Sequence, residues 1–330
     1  MTRGTPTMLR SVAMALAAAL VLAGPAAAQV RDYPSRTVRM IVAAAPGGNP
    51  DVLGRVLAQK LTEDLGRPFI IENVPGAGGV AAAEMVAKLS PDGYVLMLGD
   101  SGSLAINVAL NTGISYNPLR DFTPITGLAT VPTVLILHPS VPVATLDEFI
   151  RLAKARPGQI SYGSAGTGSV HHLTMAVFAK QVGIDVLHVP YRGGTALVTA
   201  VLSHEVEAGW SGIPNVLEPI RAGTLKVLCI STLERSPSLP DVPTAQELGI
   251  KGFDIATMIG LQGPAGLPPE IVTRLQRAVA KALRAPDVVQ RMTTLGMIMG
   301  EHGTADYARF MRADIEHYTA AVQATGIKID

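Results

Sequence analysis

A two-lobed α/β fold is the class this chain predicts, on three observations. Short apolar, β-rich runs alternate with longer segments of helical period. At 330 residues the chain exceeds the size at which one hydrophobic core usually suffices. Glycines and small hydroxyl residues cluster where strands end and helices begin, in two series rather than one.

The first series reads as a strand over 37–44, a helix marked by Val52, Val56, Leu57 and Leu61, and a strand over 69–74. A helix over 80–89, the turn Ser90-Pro91-Asp92-Gly93 and a strand over 94–98 complete a third unit. The second series begins with a strand over 133–138, a helix over 146–155, a strand over 159–162 and a helix from His171. It continues with strands over 185–189, 206–210 and 225–230, separated by helices from Thr195 and over 216–222. A Pro-rich connection over 236–243 leads to helices over 269–283 and 304–324. Such alternation predicts βαβ units and a parallel sheet.

Arg3 and Arg10 precede an uncharged run over 11–23 and the small-residue stretch Pro25-Ala26-Ala27-Ala28-Gln29. This is the layout of a secretory signal over residues 1–28, cleaved near Ala28. A membrane span needs roughly 20 apolar residues, and this core is shorter. No Cys lies near the cleavage point to take a lipid anchor. The mature chain would carry a net charge of −1, since two of the 27 basic residues leave with the signal and 26 acidic residues remain. Such a balance attracts no nucleic-acid backbone. The single Cys, Cys229, excludes an intrachain disulfide and sits in an apolar run, as a core residue does.

Several chemistries fail on their own spacing rules. No Gly-x-Ser-x-Gly elbow surrounds Ser101, Ser103, Ser164 or Ser211, and there is no phosphate-binding Walker loop, His-Glu-x-x-His or Cys/His zinc spacing. The run Gly163-Ser164-Ala165-Gly166-Thr167-Gly168 lacks the dinucleotide pattern Gly-x-Gly-x-x-Gly. Aromatic content of 4% with one Trp is low for a sugar site built on stacking. No metal, cofactor or catalytic residue is therefore nominated. The adjacent His171 and His172 diverge by about 100° on a helix and cannot share a metal. His171 is expected to face solvent and His172 the cleft; His138 and His188 are read as structural.

In an open α/β sheet, ligands bind at the carboxyl ends of strands. Glycine lets the backbone approach a ligand, and free N–H groups of a first helical turn favour an anion. The loops therefore nominate as ligand contacts Ala45, Gly47, Gly48, Asn49 and Asp51, then Gly76, Ala77 and Gly78, then Asp100, Ser101 and Ser103. The second series adds Thr133, then Ser164, Ala165, Gly166, Thr167, Gly168 and Ser169, with His172 on the following helix. Arg192, Gly193 and Thr195 follow, with Arg192 read as a rim residue, and Trp210 and Ser211 are placed at a wall of the cleft. Each loop alone also fits an ordinary tight turn, with Ser169 or Asp51 serving a helix terminus. Two series of them fit lobes facing one cleft.

Taken in order, these loops resemble the substrate-binding proteins of tripartite tricarboxylate transporters, the Bug family of periplasmic receptors. The resemblance runs from Tyr33-Pro34-Ser35 to the C-terminus. It rests on Pro46-Gly47-Gly48 with Asp51, Glu72-Asn73-x-Pro75-Gly76-Ala77-Gly78-Gly79, Pro91-Asp92-Gly93-Tyr94 and Tyr162-Gly163-Ser164-Ala165-Gly166-x-Gly168-Ser169. His188-Val189-Pro190-Tyr191-Arg192-Gly193, the run from Arg235 through Thr244, and Pro264-Ala265-Gly266 extend it.

The resemblance implies a type II periplasmic-binding-protein fold, two α/β lobes joined by two crossing strands around a central ligand cleft. The first lobe would hold residues 29–130 and 236–330 and the second 131–235, with hinges near 130–134 and 229–233. It further implies a monomeric, non-enzymatic receptor that closes on a small organic carboxylate and hands it to the large and small membrane subunits of a tripartite tricarboxylate transporter. A ligand sensor for a signalling partner, or an enzyme using His172 or Asp100, is the alternative. Two departures from the family pattern stand out. Ala43-Ala44-Ala45 replaces an aromatic-containing Pro-Phe-x-Pro loop, and Trp210-Ser211-Gly212 replaces Phe-Asp-Asn. Loss of that carboxylate disfavours an amino acid, and a smaller first loop facing a larger Trp210 suggests a pocket for an aromatic or elongated acid, while loops on both lobes would hold a dicarboxylate at its two ends.

Overall fold

Val38 to Val42 alternate little and are buried almost throughout, as a strand covered on both faces must be. They form β1 (Val38–Val42) of a computed structural model that describes residues 32–110 and 113–326. The signal segment 1–28 and its cleavage point lie outside the described residues. Helix α1 (Asn49–Leu65) starts at Gly48 with Pro50 in its first turn and ends at Gly66 in the left-handed region, φ 71°. Its buried stripe of Leu53, Leu57 and Leu61 packs onto the sheet. β2 (Phe69–Asn73), α2 (Val80–Val86) and β3 (Val95–Asp100) follow, and β1 pairs in parallel with both β2 and β3.

β4 (Phe122–Leu137) is a single strand of 16 residues, much longer than the strand read from the sequence. After it come α3 (Leu146–Ala155), opened by a Thr145/Glu148 capping box, then β5 (Ser161–Ser164), α4 (Val170–Val182) and β6 (Leu187–Pro190). α5 (Gly194–Leu202), β7 (Ala208–Gly212), α6 (Ile213–Arg221) and β8 (Lys226–Ile230) complete the second series. β9 (Ala256–Pro264), α7 (Pro269–Leu283), α8 (Pro286–Thr294), β10 (Ile298–His302) and α9 (Thr304–Thr325) close the chain.

The described strands form a mixed sheet in the order β2-β1-β3-β9-β4-β7-β5-β6, with β8 and β10 also on β4. The all-parallel expectation is corrected here. β9 and β10, absent from the sequence reading, run antiparallel to their neighbours, and every pairing of β4 is antiparallel. β4 changes partners partway. Phe122 to Pro132 pair with β9, whereas Thr133 to Leu137 pair with β7. This switch makes β4 one of the two crossings between the lobes.

At the switch the side-chain hydroxyl of Thr133 donates to Ser231 Oγ at 2.8 Å, and Ser231 N–H returns a bond to Thr133 O at 2.9 Å. Ser231 Oγ in turn donates to Ile255 O. Both hydroxyls are fully buried, so the knot satisfies polar groups that would otherwise carry an unpaired cost of about 1–3 kcal/mol each. Thr133 thus ties the crossings together. Between the crossings, Leu239 packs with the core of α5 and α6, and Ala245, Ile250, Phe253 and Ile255 pack with the core around Trp210. The chain re-enters the first sheet at Ala256.

Candidate ligand-binding cleft

One cavity of about 470 Å³ lies between the two strand series, walled by the loops that follow β1, β2, β3, β5, β6 and β7. Its floor on the first lobe is mostly small residues, Ala43, Ala44 and Ala45, then Gly48, Gly76 and Gly79, with Asn49 and Asp100 among them. Asp51 holds this floor in shape instead of facing a ligand. Its carboxylate accepts from Gly47 N–H at 2.8 Å, from Arg55 and from Asn73 Nδ2 at 3.0 Å, while Asn73 also donates to Ala44 O. Burial alone would push the Asp51 carboxyl up, but these hydrogen bonds hold it below the ordinary carboxylate value.

Asp100 lines the cavity at the end of β3. Burial pushes its carboxyl up to about 6, against hydrogen bonds from Ser103 N–H and Oγ. Ser103 is buried within this turn, and Ser101 turns away to accept from Met258 N–H at 3.0 Å. Ala77 belongs to the 3-10 turn Ala77–Gly79.

The second lobe presents side chains. Ser169 opens α4 and accepts from His172 N–H, and Ala165, Gly166, Arg192, Gly193 and Asn215 join it along the wall. Arg192 is exposed at the rim. Ser164 is buried, bonded to His188 Nε2 at 2.7 Å and to Gly166 N–H at 3.1 Å, so it shapes the loop. Thr167 is partly buried and does not line the cavity.

Chain reversal at Gly47, φ 78°, and Gly193, φ 103°, brings the lobes into contact. The Cβ position of Gly47 lies 3.4 Å from Thr195 Oγ1, and that of Gly193 lies 2.9 Å from the Ala45 methyl. Deeper in, Asn107 Nδ2 is within hydrogen-bond distance of Gly102 O, Gly78 O and, across the cleft, Gly168 O at 3.3 Å.

Two expectations are corrected. His171, expected in solvent, is 8% exposed and lines the cavity, whereas His172 does not. The 100° divergence of neighbours holds, but the assignment is reversed. His172 is drawn over β6, stacking on His188 at 4.0 Å between ring centroids, and its Nδ1 accepts from Gly168 N–H. Trp210 is not a cleft wall either. It lies in the core of the second lobe, wholly buried against Phe178 and Phe253 at 5.7 and 5.4 Å. Ser211, its neighbour, is also fully buried and does not line the cavity.

Asn215 and Thr257 line the cleft without having been nominated. Asn215 was hidden by a late helix start, since α6 begins at Ile213, and Thr257 lies on the unread strand β9. The Gly-Ile-Pro sequence ahead of Asn215, with Pro suited to a first turn, was the available signal.

The chemistry this wall allows is anion binding without a cation clamp. First turns of α1, α4, α5 and α6 all reach the cavity, and each has unpaired backbone N–H groups and the positive end of a helix dipole. Among the described residues no group of His, Cys, Asp and Glu could hold a metal ion.

Residues 53–327 match the family model of the tripartite tricarboxylate transporter family receptor. The chain belongs to this family. Protein BugT of Bordetella pertussis is 36% identical over 310 residues, covering 93% of this receptor and 94% of BugT. The structure of R. palustris Rpa4515 with adipate is 31% identical, with a TM-score of 0.87 over 90% of this receptor and 99% of that chain. MatC from Rhodopseudomonas palustris with bound malate is 33% identical, with a TM-score of 0.85 over 88% and 100%. The receptor therefore has the periplasmic-binding-protein fold and is a solute-binding protein of the transport class, not an enzyme. No helix among the described residues is long and apolar enough to cross a membrane.

Proposed function

We propose that this receptor binds a small organic carboxylate in the periplasm, with a dicarboxylate or an aromatic acid favoured, and delivers it to the large and small membrane subunits of a tripartite tricarboxylate transporter. The observation that carries the reading is the convergence of first helical turns from both lobes on one cavity, where the neighbours Rpa4515 and MatC support carboxylates as the ligand class. Hydrogen bonds to a charged group contribute roughly 1.5–3 kcal/mol each, so four or five offset a desolvation penalty of several kcal/mol. Micromolar affinity needs a surplus of about 8 kcal/mol.

Closure follows from donors on both walls. A carboxylate held by one lobe gains the other set only when the cleft shuts, and such differential contact is what shifts a population. Moving from mostly open to mostly closed takes roughly 5.5 kcal/mol, the order of three or four charge-assisted hydrogen bonds. The moving bodies in this reading are residues 29–130 with the C-terminal part, and residues 131–235 with the segment up to Ile255 that packs on the Trp210 core. The receptor works as a monomer after loss of residues 1–28 near Ala28. A thermal-shift panel of mono-, di- and tricarboxylates, amino acids and sugars tests the ligand class, because a ligand of the native state raises the melting temperature by mass action. Stabilisation by carboxylates is the expected result; stabilisation by sugars alone would overturn it.

A further inference from the structure

Four polar atoms on residues that line the cavity are buried and have no hydrogen-bonding partner in the protein: His171 Nδ1, His171 Nε2, Asn49 Oδ1 and the Tyr191 hydroxyl. His171 is 8% and Asn49 7% exposed. They belong to one polar stretch of wall. Asn49 lies against Gly212, where α6 begins, and within the first turn of α6 Asn215 Nδ2 comes 2.8 Å from the Cβ position of Gly194. His171 Cε1 approaches that same point at 3.9 Å.

From this wall we infer that the receptor selects acids carrying a hydroxyl group, read by His171 and Asn49, in addition to the carboxylate. The inference rests on the carboxylate reading above. Burial lowers the His171 imidazole to about 4, so at neutral pH the ring is uncharged, with one N–H and one bare acceptor nitrogen. That nitrogen and Asn49 Oδ1 are then two unpaired acceptors, beside the donors of the ring N–H and the Tyr191 hydroxyl. A carboxylate is acceptor-only and is served by the helix N-termini, so it leaves both acceptors bare. A hydroxyl supplies the missing donor and can accept in return. An ammonium would also donate, but it calls for a free carboxylate, and Asp100 on the same cavity is engaged by Ser103 N–H and Oγ. A site built to hydrogen-bond a hydroxyl rejects the analogue without it, because its own buried groups stay unpaired.

The test is calorimetric titration of wild type, His171→Leu and His171→Gln with sets differing in one group: succinate, malate and aspartate; benzoate and 4-hydroxybenzoate; hexanoate and 6-hydroxyhexanoate. In the tightest-binding set the hydroxy acid should bind wild type about tenfold or more tightly than its deoxy partner. His171→Leu should bring the two within about threefold of each other, and a cooperative urea transition like that of wild type shows that the variant is folded. His171→Gln, which keeps a donor and an acceptor, should restore part of the preference. The inference is overturned if no set shows a hydroxyl preference, if aspartate binds most tightly, or if the preference survives His171→Leu. Failure of every acid to bind would overturn the carboxylate reading itself, whereas binding of deoxy acids without hydroxyl preference would remove only this inference.

Discussion

The two walls of the cleft are built on opposite plans. On the first lobe, Ala43, Ala44, Ala45, Gly48, Gly76 and Gly79 leave mostly backbone and space, Asp51 and Asp100 are engaged in holding the loops, and Asn49 is left with a free side-chain oxygen. On the second lobe, Ser169, His171, Arg192 and Asn215 bring side chains to the cavity. A wall of backbone can hold any carboxylate that fits; a wall of side chains can distinguish one acid from another. The difference places most of the discriminating side chains on the second lobe, with Asn49 the contribution of the first.

The largest way to break that division is to put bulk where the walls touch. Gly78 has φ 60°, and a Cβ there would lie 2.9 Å from Gly168 O across the cleft. Gly78→Val should abolish measurable binding, a loss of more than about 4 kcal/mol for a micromolar ligand falling beyond millimolar. Calorimetric titration checks it, and retained affinity would mean that the walls need not meet.

A second, smaller effect separates the walls by pH. The folded-state value of His171 lies near 4, below the unfolded value of 6.5, so the unfolded chain takes up the proton first as pH falls. Stability from this group is present above pH 6.5 and lost as pH drops toward 4. The shift corresponds to about 3 kcal/mol. Urea unfolding of the ligand-free protein at pH 7 and pH 4 should therefore show a smaller acid loss in His171→Gln than in wild type. Equal losses would place the acid sensitivity elsewhere, with His172 the next group, since its burial and the neighbouring His188 lower it to about 4 as well.

The smallest expected change comes from the rim. Arg192 is exposed, and Arg192→Ala should weaken binding by less than about 1.5 kcal/mol by the same titration. Complete loss of binding would make Arg192 an anchor and the helix N-termini secondary.

Much of this division could be read from the chain. Motif order led to the family, and glycine clusters at strand ends marked the loops that line the cavity, because backbone proximity leaves a compositional trace. Side-chain direction leaves none. His171 and His172 differ by one step on a helix, and what decides between them is the stack of His172 on His188, a contact between residues 16 positions apart. Trp210 fails for a similar reason: alternation along β7 sends it to the core or the cleft according to register alone. β9 went unread because its glycines, Gly260 and Gly263, break the apolar pattern, and they are there to admit Tyr307 and Leu267 against the strand. The long β4 was half-read for want of that partner.

Closure of the cleft on its ligand is the claim on which the comparison of walls depends. Small-angle scattering of the receptor, first stripped of ligand by unfolding and refolding and then saturated with the tightest acid of the panel, measures it directly. The account predicts a smaller radius of gyration with the acid bound, as the two lobes rotate about the Thr133 and Ser231 crossing; an identical radius in the two samples would contradict it.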